Sequence, residues 1–212
     1  VNNTAPEIRT LTGPVIAIDG PAGSGKSTVS RALAARLGID RLDTGAMYRA
    51  VAWAALHRSI EPGDRKAVAE LARTLVFEVG ERVEADGCDV TEAIRGAEVS
   101  DVVSSVAANP DVRSVLVERQ RQWVAERGGG VVEGRDIGSV VLPEADVKIY
   151  LTASAEERAR RRPEEGADAV ARRDRLDSTR STSPLGVAEG ARIIDTTARS
   201  VGDIVDEVVT WL

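Results

Sequence analysis

Val15-Ile16-Ala17-Ile18-Asp19-Gly20-Pro21-Ala22-Gly23-Ser24-Gly25-Lys26-Ser27-Thr28 is the stretch on which the fold turns. Its first four residues are a short apolar run rich in β-branched side chains, closed by Asp19 and a glycine-rich turn, which reads as a buried parallel strand. From Lys26 to Leu37 the residues Val29, Leu33 and Leu37 recur at helical spacing, with Arg31 and Arg36 off that stripe and Gly38 as a stop, so a helix follows. Between strand and helix, Gly20 to Ser27 fits the pattern G-x-x-x-x-G-K-[ST], in which glycines let successive backbone N–H groups turn inward onto phosphate oxygens. Lys26 reaches the β and γ phosphates in such a loop. The Ser27 hydroxyl holds Mg²⁺, and the helix directs its positive end at the triphosphate. Chance would produce this pattern in a chain of 212 residues on the order of one time in a hundred, so the loop from Gly20 to Thr28 marks a nucleoside triphosphate site.

The same strand, loop and helix grammar continues outward. A brief strand near Arg41-Leu42 leads through Asp43-Thr44-Gly45 into an alanine-rich helix from Ala46 to His57, with Met47 and Val51 at helical spacing. Pro62-Gly63-Asp64 breaks that pattern. Alternation in Val76-Phe77-Glu78-Val79 and Arg82-Val83-Glu84-Ala85 predicts a small antiparallel hairpin, and Asp86-Gly87 is a second turn signal. Residues 61–110 therefore read as an insertion into a core formed by 14–60 and 111–212. A helix from Val112 to Arg127, stopped by three glycines, returns the chain to that core. Short apolar runs at Val131-Val132, Val147 to Leu151 and Ile193-Ile194 then alternate with helical or loop segments, and Val201 to Trp211 forms a last helix. Alternation of this kind predicts an α/β domain whose parallel sheet is covered by helices on both faces.

Composition narrows the function classes. The formal charge is −6, with 42% hydrophobic and 29% charged residues, an ordinary globular balance. Three Trp, two Tyr and one Phe in an acidic chain supply neither the basicity nor the stacking platforms of a nucleic-acid binder, so any polyanion site is local. The single Cys88 cannot form an internal disulfide, and no apolar window reaches membrane-spanning length; a cytoplasmic protein without a membrane partner is the expectation. Trp53, Trp123 and Trp211 lie on helical stripes and read as packing residues, and His57 reads as a structural or surface residue.

Which class of phosphate-loop protein this is follows from what surrounds the loop. None of the three lysines, Lys26, Lys66 and Lys148, sits in an [NT]-K-x-D guanine-reading motif. No long apolar strand ends in an acidic residue, as a large motor ATPase uses. A small-molecule kinase fits better. Further blocks carry a resemblance: LDTGAMYR at Leu42 to Arg49, EVSDVVSSVAANPDVR at Glu98 to Arg113, EGRDIGSVVLPEADVKIYL at Glu133 to Leu151, SAEERARRR at Ser154 to Arg162 and RDRLDSTRSTSPL at Arg173 to Leu185. In this order, with IDGPAGSGKST at Ile18 to Thr28, they closely resemble the bacterial cytidylate kinases. That resemblance implies a nucleoside monophosphate kinase fold with a five-stranded parallel sheet, an inserted monophosphate-binding region at 61–110 and a lid at about 158–175. It implies transfer of the γ-phosphoryl of ATP to CMP or dCMP, with Mg²⁺, by a monomer. The stretch PEEGADAVAR between Arg162 and Arg173 is shorter than family members usually carry.

The resemblance also implies roles. Thr44, Arg49 and Arg135 hold the CMP phosphate, and Arg180 lies between acceptor and donor phosphates. Arg158 and Arg162 close on ATP, Arg173 and Asp177 contact the ribose, and Ser104, Arg113 and Asp136 contact cytosine. Each has a plainer alternative: solvated helix charges for Arg158 and Arg162, an ion pair with Asp136 for Arg135, surface pairing for Arg173 and Asp177, and helix capping or pairing for Ser104 and Arg113. For the chain as a whole the alternatives are a kinase acting on another small acceptor, such as UMP or a hydroxyl-bearing metabolite, and a protein that binds nucleotide without catalysis.

Overall fold

The computed structural model describes residues 12–163, 174–177 and 185–212. Arg180 and residues 164–173, Arg173 among them, lie outside them. The apolar run of β1 (Val15–Asp19) is buried at every position, which requires strands on both sides and helices above and below. It pairs in parallel with β6 (Gly130–Gly134) on one side and β7 (Val147–Thr152) on the other, β2 (Arg41–Asp43) and β8 (Arg192–Asp195) forming the edges. The strand order is thus β2-β6-β1-β7-β8. Ile16 and Ile18 face one apolar cluster, completed by α1 (Lys26–Leu37) and α7 (Val201–Val209), while Val15 and Ala17 face the other. The expected sheet, covered on both faces, is present.

The second face is built on α2 (Thr44–His57), whose buried alanines allow close approach to the sheet and to α4 (Ala97–Ala108). This helix begins two residues earlier than its periodicity predicts, because the Asp43 side chain accepts from Ala46 N at 3.1 Å and caps it. Likewise α5 starts at Pro110 rather than Val112 (Pro110–Arg127): Asn109 Oδ1 accepts from Asp111 N, and proline suits the first helical position. Residues 61–110 supply α3 (Arg65–Thr74), the antiparallel hairpin β3 (Phe77–Val79) and β4 (Val83–Ala85), and a third short strand β5 (Cys88–Asp89) where a turn was expected. The three tryptophans are half-buried, and His57 is exposed and stacked on Trp53.

Candidate functional site

The carboxyl ends of β1, β2 and β6 converge on one cavity of about 310 Å³, the place where open parallel sheets hold ligands. The phosphate loop forms one end of it. Gly20 has φ 150°, where a side chain would strike the carbonyl of Leu151, and Gly23 has φ 75° with the backbone of Arg158 packed against it, so the loop can be this tight only with glycine at both points. Lys26 Nζ donates to the carbonyls of Gly20 and Pro21 at 2.8 Å each. Ser27 Oγ donates to Glu133 Oε2 at 2.9 Å.

The opposite end is walled by α2, α4 and α5. Thr44 is buried there and donates to the Glu133 carbonyl at 2.7 Å; Arg49 donates to Ile94 O and Ser100 Oγ, both at 3.1 Å. Ser104 lines the same wall. Arg113 and Asp136 form a buried ion pair, their side chains 6% and 7% exposed, with the guanidinium over the Tyr48 ring. Arg135, expected to have Asp136 as its alternative partner, instead pairs with buried Asp177 at 2.7 Å and donates to the Gly20 carbonyl at 3.1 Å. In all, Lys26, Ser27, Thr44, Arg49, Ser104, Arg113, Arg135, Asp136, Arg162 and Asp177 share one cavity.

Arg158 is not on its wall. It lies against the outside of the loop, donating to Ala22 O at 3.2 Å and pairing with Asp174. Arg161 is on the wall instead, donating to Gly23 O at 3.3 Å and to both oxygens of Thr196 at 2.9 Å, while Thr196 Oγ1 donates to Ser24 O. Helix α6 (Ala155–Arg160) carries Arg158 and Arg160, with Arg161 and Arg162 just past its end, and four arginines within five residues give no spacing signal for which of them faces inward. Glu157, hydrogen-bonded by Arg160 and then by Arg161, is held down at about 2. Arg95, beside Arg49's partner Ile94, adds one more guanidinium to the cavity.

Two acids were missed by sequence reasoning. Glu133 is buried at the end of β6 and accepts from Ser27, Ser30 at 2.9 Å and Arg41 at 2.7 Å; burial first, then Asp43 beside it, pushes its carboxyl up, while Lys26 and Arg41 oppose. The apolar run before it is only two residues long, too short to signal a strand that delivers an acid to a phosphate loop, yet the sheet places it there. Asp19, ending β1, accepts from Ile137 N at 2.7 Å and Gly138 N at 2.8 Å, fixing the π-helical turn Ile137–Val141 behind Asp136. Burial pushes it up to about 6, despite those donors.

A family model described as cytidylate kinase matches residues 16–212, from the first strand to the last helix. The chain belongs to the cytidylate kinase family. The cytidylate kinase of Desulfitobacterium hafniense (strain Y51) is 50% identical over 211 residues, covering 92% of this chain and 90% of its own, and that of Bacillus subtilis (strain 168) is 46% identical over 92% and 94%. Among solved structures, a sugar kinase from Janibacter sp. HTCC2649 superposes with TM-score 0.51 at 11% identity, covering 93% of each chain. Shikimate kinase from Acinetobacter baumannii gives 0.50 at 16%, covering 94% of this chain and 93% of its own. Those distant neighbours share the fold, and the family membership rests on the sequence match.

Proposed function

We propose that this chain transfers the γ-phosphoryl group of ATP to CMP or dCMP, giving ADP and CDP or dCDP. The observation that carries this reading is the buried Arg113–Asp136 pair on the wall of the cavity whose end is the phosphate loop. Cytosine presents an exocyclic amino donor beside an N3 acceptor, where uracil presents a carbonyl and an N–H. A carboxylate can only accept and a guanidinium can only donate, so the pair offers one of each side by side, with the Ser104 hydroxyl able to do either. Uracil would face both with the wrong partner, and buried mismatches of that kind discriminate by orders of magnitude.

The attacking atom is an oxygen of the CMP phosphate, whose second pKa is about 6, so it is mostly dianionic at neutral pH and needs no general base. The work is to bring two polyanions together and to stabilise charge on the group in flight. Seven cationic side chains against four carboxylates line the cavity, within a chain of net charge −6. In this reading Thr44, Arg49 and Arg135 hold the acceptor phosphate, Lys26, Arg161 and Arg162 serve the donor phosphates, and Arg158 acts at the loop. Asp177, with Arg173, serves the ribose, and Arg180 the transferring group. Residues 61–110 are the monophosphate-binding region, since Ile94, Arg95, Val103 and Ser104 on the wall come from it. The core, 14–60 and 111–212, carries the donor site and the lid.

The oxygen donors at the loop fit Mg²⁺. Ser27 would hold it through its hydroxyl, and Glu133, 2.9 Å from that hydroxyl, would accept hydrogen bonds beside it; an ion that keeps several waters and substrate oxygens asks no more of the protein. When bound, Mg²⁺ neutralises phosphate charge. No described helix is long and apolar enough to cross a membrane, and a monomer working where ATP and CMP are present, in the cytoplasm, completes the proposal. The test is ADP release with Mg-ATP across CMP, dCMP, UMP, AMP, dTMP and shikimate. Turnover with CMP and dCMP is expected; a different preferred acceptor, or no release above background, overturns the assignment.

A further inference from the structure

Residues 174–177 form one helical turn, and its two acids, three positions apart, emerge on the same face. They go to different halves of the site. Asp177 pairs with Arg135 at 2.7 Å, and Arg135 reaches the Gly20 carbonyl at 3.1 Å. Asp174 Oδ1 accepts from Ala22 N at 3.0 Å, while its other oxygen pairs with Arg158, which itself donates to Ala22 O at 3.2 Å. The Ala22 residue is therefore gripped at its N–H by a carboxylate and at its carbonyl by the guanidinium that the carboxylate neutralises. Arg158 also packs its backbone on Gly23, and its Nε is buried with no partner. Asp174 is the only carboxylate paired with that guanidinium among the described residues.

We infer that Asp174 is a positioning residue for phosphoryl transfer: it fixes the phosphate loop at Ala22 and, through the turn it shares with Asp177, ties the donor seat to the acceptor seat. This rests on the reading of the cavity as a seat for CMP beside ATP. The physical consequence is coupling. A donor nucleotide that orders the loop orders Ala22, Asp174 and the turn, so the Asp177–Arg135 pair on the acceptor side is already in place when the second substrate arrives. The second ligand then loses less freedom on binding, and each substrate tightens the other by the same factor.

The experiment measures, for the wild type, Asp174→Ala and Asp174→Asn, the dissociation constant of CMP with and without a non-hydrolysable ATP analogue, together with kcat and both KM values. In the wild type the analogue is expected to tighten CMP at least about fivefold. In Asp174→Ala that ratio falls to within about twofold of unity and KM for ATP rises about tenfold, while CMP binding alone stays near the wild-type value. Asp174→Asn keeps an acceptor for Ala22 N–H and loses the negative charge that faces Arg158, so it falls between the two; being the same shape, it carries the test if the alanine variant melts early. A merely structural residue would lower the melting temperature and leave the coupling ratio intact, which overturns the inference, as does a wild type without coupling. Failure of the wild type to form CDP overturns the acceptor assignment and this inference with it, whereas CDP formation with unchanged coupling in the variants overturns this inference alone.

Discussion

Arg113 carries more of the reading than any other residue, and its burial gives its replacement two separable effects. With the guanidinium gone, Asp136 is left as a buried charge without its partner, so Arg113→Met should lose about 3 kcal/mol of stability, read from denaturant unfolding. Its catalytic effect should be larger with CMP than with UMP; equal losses in kcat/KM would show that Arg113 does not read the base. Lys26 differs. It is buried within the loop that it bonds, but the Gly20 carbonyl keeps Arg135 as a donor, so Lys26→Ala should keep its circular dichroism spectrum while turnover falls about a thousandfold through lost charge at the phosphates. Near-normal turnover would refute the loop assignment. Residues of this kind were legible because their motifs are dense. Glu133 and Arg161 were not: one follows only two apolar residues, and the other caps a short helix amid four arginines in five residues, where the inward one depends on what the segment packs against.

Among the elements, α1 is the one whose two ends the sequence marks to the residue. Gly25 and Gly38 stand at those ends, both left-handed. Helix α3 is hidden in the sequence because Pro62-Gly63-Asp64 signals a break; the same Asp64 caps the helix by accepting from Ala67 N, and Val68, Leu71 and Ala72 carry its buried stripe. The cap of α5 matters for function, since Arg113 stands one turn beyond it. Asn109 also donates to Arg65 O at 2.9 Å, tying α5 to α3. Asn109→Ala should lower stability by about 1 to 2 kcal/mol and raise KM for CMP more than KM for ATP. A variant that loses stability with both constants unchanged would mean that the start of α5 does not set the position of Arg113. At the end of β1, the raised Asp19 keeps its proton in the folded state between 3.8 and about 6, where the unfolded chain has released it. Its contribution is therefore fully present at lower pH and is lost as pH rises through about 6. The melting temperature of the wild type relative to Asp19→Asn should fall across that window and level off above it; a difference that rises with pH would contradict the burial of Asp19.

For the whole molecule, the sheet order places three strand ends under one cavity, and residues distant in sequence meet there: the loop after β1, the start of α2, the wall of α4 and α5, and the turn after β6. Periodicity anticipated the parallel sheet and its two covered faces. It could not place Arg113 beside Asp136, because that contact depends on α5 packing against the π-helical turn that Asp19 holds. Only the assembled fold brings a scattered set of arginines and acids into one cavity, the proposed seat for two nucleotides. The claim that this seat reads cytosine is tested most directly by competition: equal concentrations of CMP and UMP in one tube with limiting Mg-ATP, and the CDP to UDP ratio measured at early times, which equals the ratio of kcat/KM values. CDP is expected in excess by about a hundredfold or more; comparable amounts of the two products, or UDP in excess, would contradict the cytosine assignment.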